Sequence, residues 1–245
     1  MARRRRRSAS TGAVLAALVV VAAVAFLAVR GTGPEAGSQS AARPESAAPT
    51  GSAGSALALL RTLPVKGKAP HTGYARVKDF GDAWLDVDHN GCDTRDDVLR
   101  RDLQRITGGA CKVATGVLTD PYTGKVIRFV RGQTTSDAVQ IDHVVALSEA
   151  WQTGAQQLTQ TQRERLANDP ANLFAVDGPT NQAKGDGDAA TWLPPNRSFR
   201  CTYVAHQVAV KAAYHLWVTA AEKAAIARVL ASCPGRVAPA AGQGG

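Results

Sequence analysis

The chain changes character at about residue 56, and that break limits how much of it can fold. From Gly31 to Ser55 the sequence is almost entirely Ala, Gly, Ser and Pro. Such a stretch buries too little apolar surface to offset its ordering entropy, so residues 31–56 are expected to form a disordered linker. The same composition returns from Pro234 to Gly245, which is expected to be a disordered tail. Between them, Leu57 to Cys233 is long enough for one sizeable hydrophobic core.

Ahead of the linker, Arg3 to Arg7 are five consecutive arginines, and an uninterrupted apolar run follows from Ala13 to Val29. A basic block before an apolar core reads as an export signal. The run is long for a cleaved signal and near the lower limit for a spanning helix. Residues 1–30 are therefore expected to be an export signal or an N-terminal membrane anchor. The arginines would remain cytoplasmic and everything after Arg30 would lie outside.

Residues 1–56 hold seven Arg and two Glu, so +5 of the formal net charge of +9 sits there and +4 remains for the folding part. A balance of +4 is compatible with a polyanionic partner without requiring one. All four cysteines, Cys92, Cys111, Cys201 and Cys233, follow the signal, and none forms a Cys-x-x-Cys pair. A structural zinc knuckle is disfavoured. An even count in an oxidising compartment points to two disulfides, for which three pairings exist. Cys92 with Cys111 and Cys201 with Cys233 are preferred because each closes a local loop around a predicted helical segment.

Helical spacing predicts a short helix at Leu57 to Leu63, one from Arg95 to Ile106 ended by Gly108-Gly109, and a polar helix from Ser148 on toward Ala167. Tyr203 to Trp217 reads as a further helix, and Thr219 opens a capping box for a last one reaching Leu230. Val113 to Leu118 and Val126 to Val130, joined by the turn Asp120-Pro121-Tyr122-Thr123-Gly124, read as a hairpin. Val139 to Val145 and Asn172 to Val176 are two more strands, and Pro179 sits near the start of a short helix. The class is α+β.

Asp142-His143 closes the apolar run Val139-Gln140-Ile141. An imidazole beside a carboxylate at a strand end can present a base and a metal ligand side by side. Asn172 and Asn181 downstream can lock the loop and complete the metal site. That inventory suits metal-assisted cleavage of a phosphodiester. Lys184, one turn after Asn181, and Arg95 are candidate phosphate contacts. The alternatives are a surface lysine, and a salt bridge from Arg95 to Asp93 or Asp96.

The stretches Ile141-Asp142-His143-Val144-Val145-Ala146-Leu147, Asn172-Leu173-Phe174 and Asn181-Gln182-Ala183-Lys184 resemble the HNH endonuclease family, specifically its secreted branch related to the GmrSD-type C-terminal nuclease domain. The segments Asn90 to Arg95 and Cys201 to Cys233 are also similar to that branch. The resemblance implies a ββα-metal core within residues 139–184, flanked by helices and an extra hairpin, in a nuclease domain over residues 57–233. It implies His143 as general base, Asp142 and Asn181 as ligands of the catalytic cation, and Asn172 as the brace that orients His143. An oxygen pair of Asp and Asn suits Mg²⁺, with Mn²⁺ as a second choice. The expected substrate is nucleic acid, DNA first. Competing expectations are a non-catalytic nucleic-acid or surface-binding module and a metal-dependent hydrolase of envelope polymers.

Asp86-x-Asp88-x-Asn90-Gly91 with Asp97 imitates a calcium loop, but its last position is Asp rather than Glu and Cys92 interrupts it. His206 and His215 are expected to be structural, and His89 exposed.

Overall fold

The computed structural model describes residues 54–242. Ser55 caps the first helix, α1 (Ala56–Thr62), through a 3.2 Å bond to the amide of Ala58. The next elements are α2 (Arg76–Phe80) and α3 (Thr94–Asp102), then three strands, β1 (Gln104–Gly108), β2 (Val113–Thr119) and β3 (Val126–Val130). These strands form an antiparallel sheet in chain order. A second, two-stranded antiparallel sheet pairs β4 (Val139–His143) with β5 (Leu173–Asp177). The chain between β4 and β5 folds into α4 (Leu147–Gln152) and α5 (Gln160–Asn168). After β5 come α6 (Gly178–Lys184), α7 (Arg200–Ala213) and α8 (Ala220–Ala231). The α+β class is as expected, with eight α-helices among the described residues.

Two hydrophobic clusters support this arrangement. Val98 and Leu99 of α3 pack with Val113, Leu118 and Phe129 of the first sheet and Ile141 and Leu173 of the second. The larger cluster gathers Leu57 and Leu60 of α1, Leu166 of α5, Val204 and Val208 of α7 and Ile226 of α8 around Tyr122 and Val144. Each fully buried Leu or Val contributes about 1.5–3 kcal/mol relative to exposure. Beneath α7, the buried Lys211 ammonium lies 2.7 Å from Glu149 of α4 and 2.8 Å from Glu222 of α8, joining three helices through one charge cluster.

The disulfides are Cys92–Cys111 and Cys201–Cys233. The first ties the entry of α3 to the turn between β1 and β2. The second ties the start of α7 to the end of α8.

Several expectations are corrected. The helix expected to run to Ile106 stops at Asp102, and residues 104–108 form β1. Leu103 turns extended and lies over Gly116, where a Cβ would come within 2.6 Å of Leu103 Cδ2, so the sheet closes over a position only glycine fits. The polar helix after Ser148 is two helices, because Thr159 opens a second capping box with Gln162. The segment after Cys233, expected to be disordered, is held in place as far as Gly242. Ala56 donates to Arg236 O at 2.8 Å, Ser55 pairs with Val237, and Gly242 N–H reaches Asp169 Oδ2 at 2.6 Å. Main-chain partners replace the large side chains this segment lacks. The expectation of a membrane span is also withdrawn: among the described residues no helix is long and apolar enough to cross a membrane. Ala13 to Val29, on which that expectation rested, and most of the 31–56 linker lie outside the described residues.

Candidate active site

The second sheet and α6 together make a ββα unit. β4 and β5 pair with Asp142 opposite Phe174 and His143 opposite Leu173. Asp177 ends β5 and caps α6, accepting from the Thr180 amide at 2.9 Å and its hydroxyl at 2.6 Å. Gly178 opens the helix against Asp137 O, which a Cβ there would meet at 2.0 Å. A larger residue would push α6 off the strand that carries Asp142.

Neighbouring residues in a strand face opposite sides, and Asp142 and His143 use both. Asp142 is buried, with Lys184 Nζ of α6 2.8 Å from Oδ1 and the hydroxyl of Tyr122 donating to Oδ2. Burial raises the Asp142 carboxyl above its ordinary value, and the Lys184 charge opposes that rise. Tyr122 is pushed well above the ordinary phenol value by burial and then by the Asp142 charge, so it stays protonated and donates. Lys184 also donates to the carbonyl of His143 at 2.7 Å.

His143 is buried on the other side, its Nε2 2.8 Å from the carbonyl of Ala167. A carbonyl can only accept, so Nε2 carries the proton and Nδ1 keeps the free lone pair. Burial, then the charges of Arg76 and Lys184, lower the imidazole to about 3, against the opposing pull of the Ala167 carbonyl. His143 is therefore neutral at physiological pH. The Trp84 ring lies stacked against it, centroids 6.1 Å apart and planes 13° from parallel. Trp84 adopts a left-handed φ of 65°, a conformation costing a bulky residue about 1–3 kcal/mol, which the surrounding packing must hold.

Asn172 lies at the end of a turn just before β5 rather than within the strand, and it is fully buried. Its Oδ1 accepts from the Val145 amide at 2.9 Å, its Nδ2 donates to Leu166 O at 3.1 Å, and its own carbonyl accepts from Val144 at 2.8 Å. These bonds stitch the chain leaving His143 to the end of α5, which supplies the Ala167 carbonyl.

Asn181 is half-buried on α6, and its Nδ2 donates to Gln140 Oε1 at 3.0 Å. A cavity of about 300 Å³ is lined by Asp142, His143 and Asn181 together with Arg76, Ser148 and Asp186. At its rim, Ser148 Oγ donates to Asp186 at 3.1 Å and lies 3.1 Å from His71 Nε2. The oxygen donors facing this space are one inner carboxylate, one amide and an outer Asp–Ser pair. That set fits a hard cation that keeps most of its own waters. It offers no cluster of three His, Cys, Asp or Glu among the described residues.

The fold thus brings Asp142, His143, Asn172 and Asn181 to one end of the second sheet. It sends the two candidate phosphate contacts elsewhere. Lys184 is buried as the partner of Asp142 and does not line the cavity. Arg95 donates to Val139 O at 3.3 Å, at the far end of β4 from His143. Three neighbours of the site escaped sequence reasoning. Tyr122 reads as a turn residue, Trp84 as a core anchor, and Arg76 falls in a stretch of mixed pattern. Only contacts distant in the chain give them a place at the site. The acidic loop Asp86 to Cys92 lies apart from the cavity and bonds to itself, with Asn90 and Gly91 amides on Asp86 and Asp88.

An uncharacterized secreted protein of Arthroderma benhamiae is 40% identical over 185 residues, covering 74% of this chain and 86% of the relative. No solved structure matches. Residues 93–229, more than half of the chain and including the whole ββα unit, match the family described as GmrSD restriction endonucleases, C-terminal domain. The chain belongs to that family.

Proposed function

We propose that this protein is an exported, metal-dependent HNH endonuclease that hydrolyses DNA phosphodiester bonds, with His143 as general base and the nuclease domain spanning residues 57–233. The observation that carries this reading is the state of His143. It is neutral, fixed as the Nε2–H tautomer by Ala167, and His143 lines one cavity together with Asp142 and Asn181. A base must be unprotonated and oriented before it can act, and the neutral imidazole held by Ala167 supports that role.

In this mechanism Nδ1 of His143 takes a proton from the attacking water, and the Ala167 carbonyl stabilises the resulting imidazolium through Nε2–H. Asn172 fixes the loop so that imidazole and carbonyl stay in register. Tyr122 and Lys184 hold the Asp142 carboxylate in place. Asp142 and Asn181 would hold a divalent cation, Mg²⁺ or Mn²⁺. When bound, that ion supplies the positive charge that stabilises the leaving 3′ oxygen. Export is supported by the two disulfides, which suit an oxidising compartment, and by the similarity to a secreted protein.

The test is incubation of the full chain with plasmid DNA and Mg²⁺, with and without chelator, beside His143→Ala. Chelator-sensitive nicking that drops at least about 10²-fold in His143→Ala is expected. No cleavage by the wild type, or equal chelator-insensitive cleavage by both proteins, overturns the reading. A parallel RNA substrate decides the choice of nucleic acid.

A further inference from the structure

The cavity beside His143 has an unequal distribution of charge. Asp142 is already neutralised by Lys184, and both lie buried. Of the side chains lining the space, Asp186 is the outer anion and Arg76 is the one cation. Arg76 begins α2, is exposed, and also lines the smaller pocket formed by Trp84, Ala167 and His143. Among the described residues no hydrogen bond or ion pair holds its guanidinium. The other arginines near the site are engaged: Arg163 on the carbonyls of Asp79 and Leu158, Arg101 on Asp102 and on the carbonyls of Pro170 and Leu173.

We infer that Arg76 is the substrate-phosphate ligand of this site, donating its planar fork of N–H groups to a non-bridging oxygen of the scissile or adjacent phosphodiester. This rests on the nuclease reading and extends it to a residue outside the 93–229 family match. A guanidinium matches phosphate geometry in a way a lysine does not. An unpaired one lining the same cavity as His143 supplies the anion recognition that Lys184 and Arg95, as placed, do not. The short segment before the matched domain, from Arg76 to Trp84, therefore completes the site from both sides of His143. Arg76 holds the substrate and Trp84 packs against the imidazole.

The test uses the full chain. Cleavage of plasmid DNA is compared for wild type, Arg76→Ala and Arg76→Lys. Binding of a labelled 20-mer duplex is followed by anisotropy between about 50 and 200 mM salt for His143→Ala and His143→Ala/Arg76→Ala. Expected results are a loss of at least about 10-fold in cleavage for Arg76→Ala, partly recovered in Arg76→Lys, and weaker duplex binding with a salt slope lower by about one. Thermal melts of Arg76→Ala matching wild type show that the loss is not unfolding. Binding and salt slope unchanged by Arg76→Ala overturn the inference while leaving the nuclease reading intact. If the wild type does not cleave at all, the nuclease reading fails, and the binding comparison still decides whether Arg76 contacts phosphate.

Discussion

Lys184 Nζ bonds both the carboxylate of Asp142 and the main-chain carbonyl of His143, so one buried ammonium fixes the two neighbouring residues on which the proposed chemistry depends. The lysine side chain is fully buried and Asp142 nearly so. Removing one member of such a pair leaves an uncompensated charge in a poor solvent for it. Lys184→Met is expected to destabilise by about 3–5 kcal/mol. Asp142→Asn/Lys184→Met should recover part of the loss in urea denaturation. Equal stability of Lys184→Met and wild type would show that the pair is not buried in solution.

Tyr122 touches no part of the cavity and acts through Asp142. Tyr122→Phe removes one donor to the carboxylate and leaves the ring in its cluster with Trp192, Phe199 and Tyr203. The expected loss of stability is about 1–2 kcal/mol. The Mg²⁺ concentration giving half-maximal cleavage should rise about 10-fold or more, as for other partners of metal-binding groups. A variant with unchanged metal dependence and lowered activity would remove Tyr122 from the role of positioning Asp142.

Asn172→Ala deletes three side-chain bonds at a fully buried position and strands the amide of Val145 and the carbonyl of Leu166. The expected cost is about 2–4 kcal/mol, from unsatisfied buried groups of about 1–3 kcal/mol each after partial relaxation. Activity should fall beyond what the unfolded fraction explains, because the loop aligning His143 with Ala167 loosens. Activity that scales with the folded fraction alone would reduce Asn172 to a purely structural residue.

Folding holds His143 at about 3 against an ordinary 6.5, so between those values the unfolded chain binds a proton that the folded chain refuses. Its stabilising contribution is complete above pH 6.5 and is lost as the pH falls from 6.5 toward 3. Urea midpoints taken from about pH 7 to about pH 4.5 should fall more steeply for wild type than for His143→Asn. Parallel curves would contradict the buried neutral imidazole.

Glu222 acts in the opposite direction. Burial holds its carboxyl up to about 7 from 4.5, with Lys211 opposing and Glu149 reinforcing the rise. The folded chain keeps a proton that the unfolded chain has released, so this contribution is complete below pH 4.5 and is lost as pH rises through about 7. From about pH 5 to about pH 8 the wild type should lose stability relative to Glu222→Gln. The glutamine retains the capping-box acceptor at Thr219 and removes the titration. The absence of any divergence would place the proton elsewhere in the cluster.

The expectations that held are those set by short-range pattern. Alternation marked the hairpin of β2 and β3, and the Thr219 capping box marked α8. The misreadings share one cause. Leu103 to Ile106 has a helical apolar spacing and a β-branched residue, and the extended chain there is the one that pairs with β2, a partner the local pattern does not show. Lys184 reads as a phosphate contact or a surface lysine one turn beyond Asn181. Its burial is satisfied by the carboxylate of Asp142 and the carbonyl of His143, both on β4 and some forty residues earlier in the chain.

By itself the sequence determined the class of fold and most of its helices and strands, because these depend on neighbours a few positions apart; of the three cysteine pairings it left open, the structure holds the one that closes the short loops. Only the tertiary structure decided which of those residues meet. It kept Arg95 and Lys184 out of the cavity lining, set Tyr122 on Asp142, and placed Trp84 and Arg76 beside His143. The low basicity of the imidazole follows from burial and from charges far away in the chain, and the proton on Nε2 from the carbonyl of Ala167, 24 residues on. Local sequence pattern does not encode those quantities.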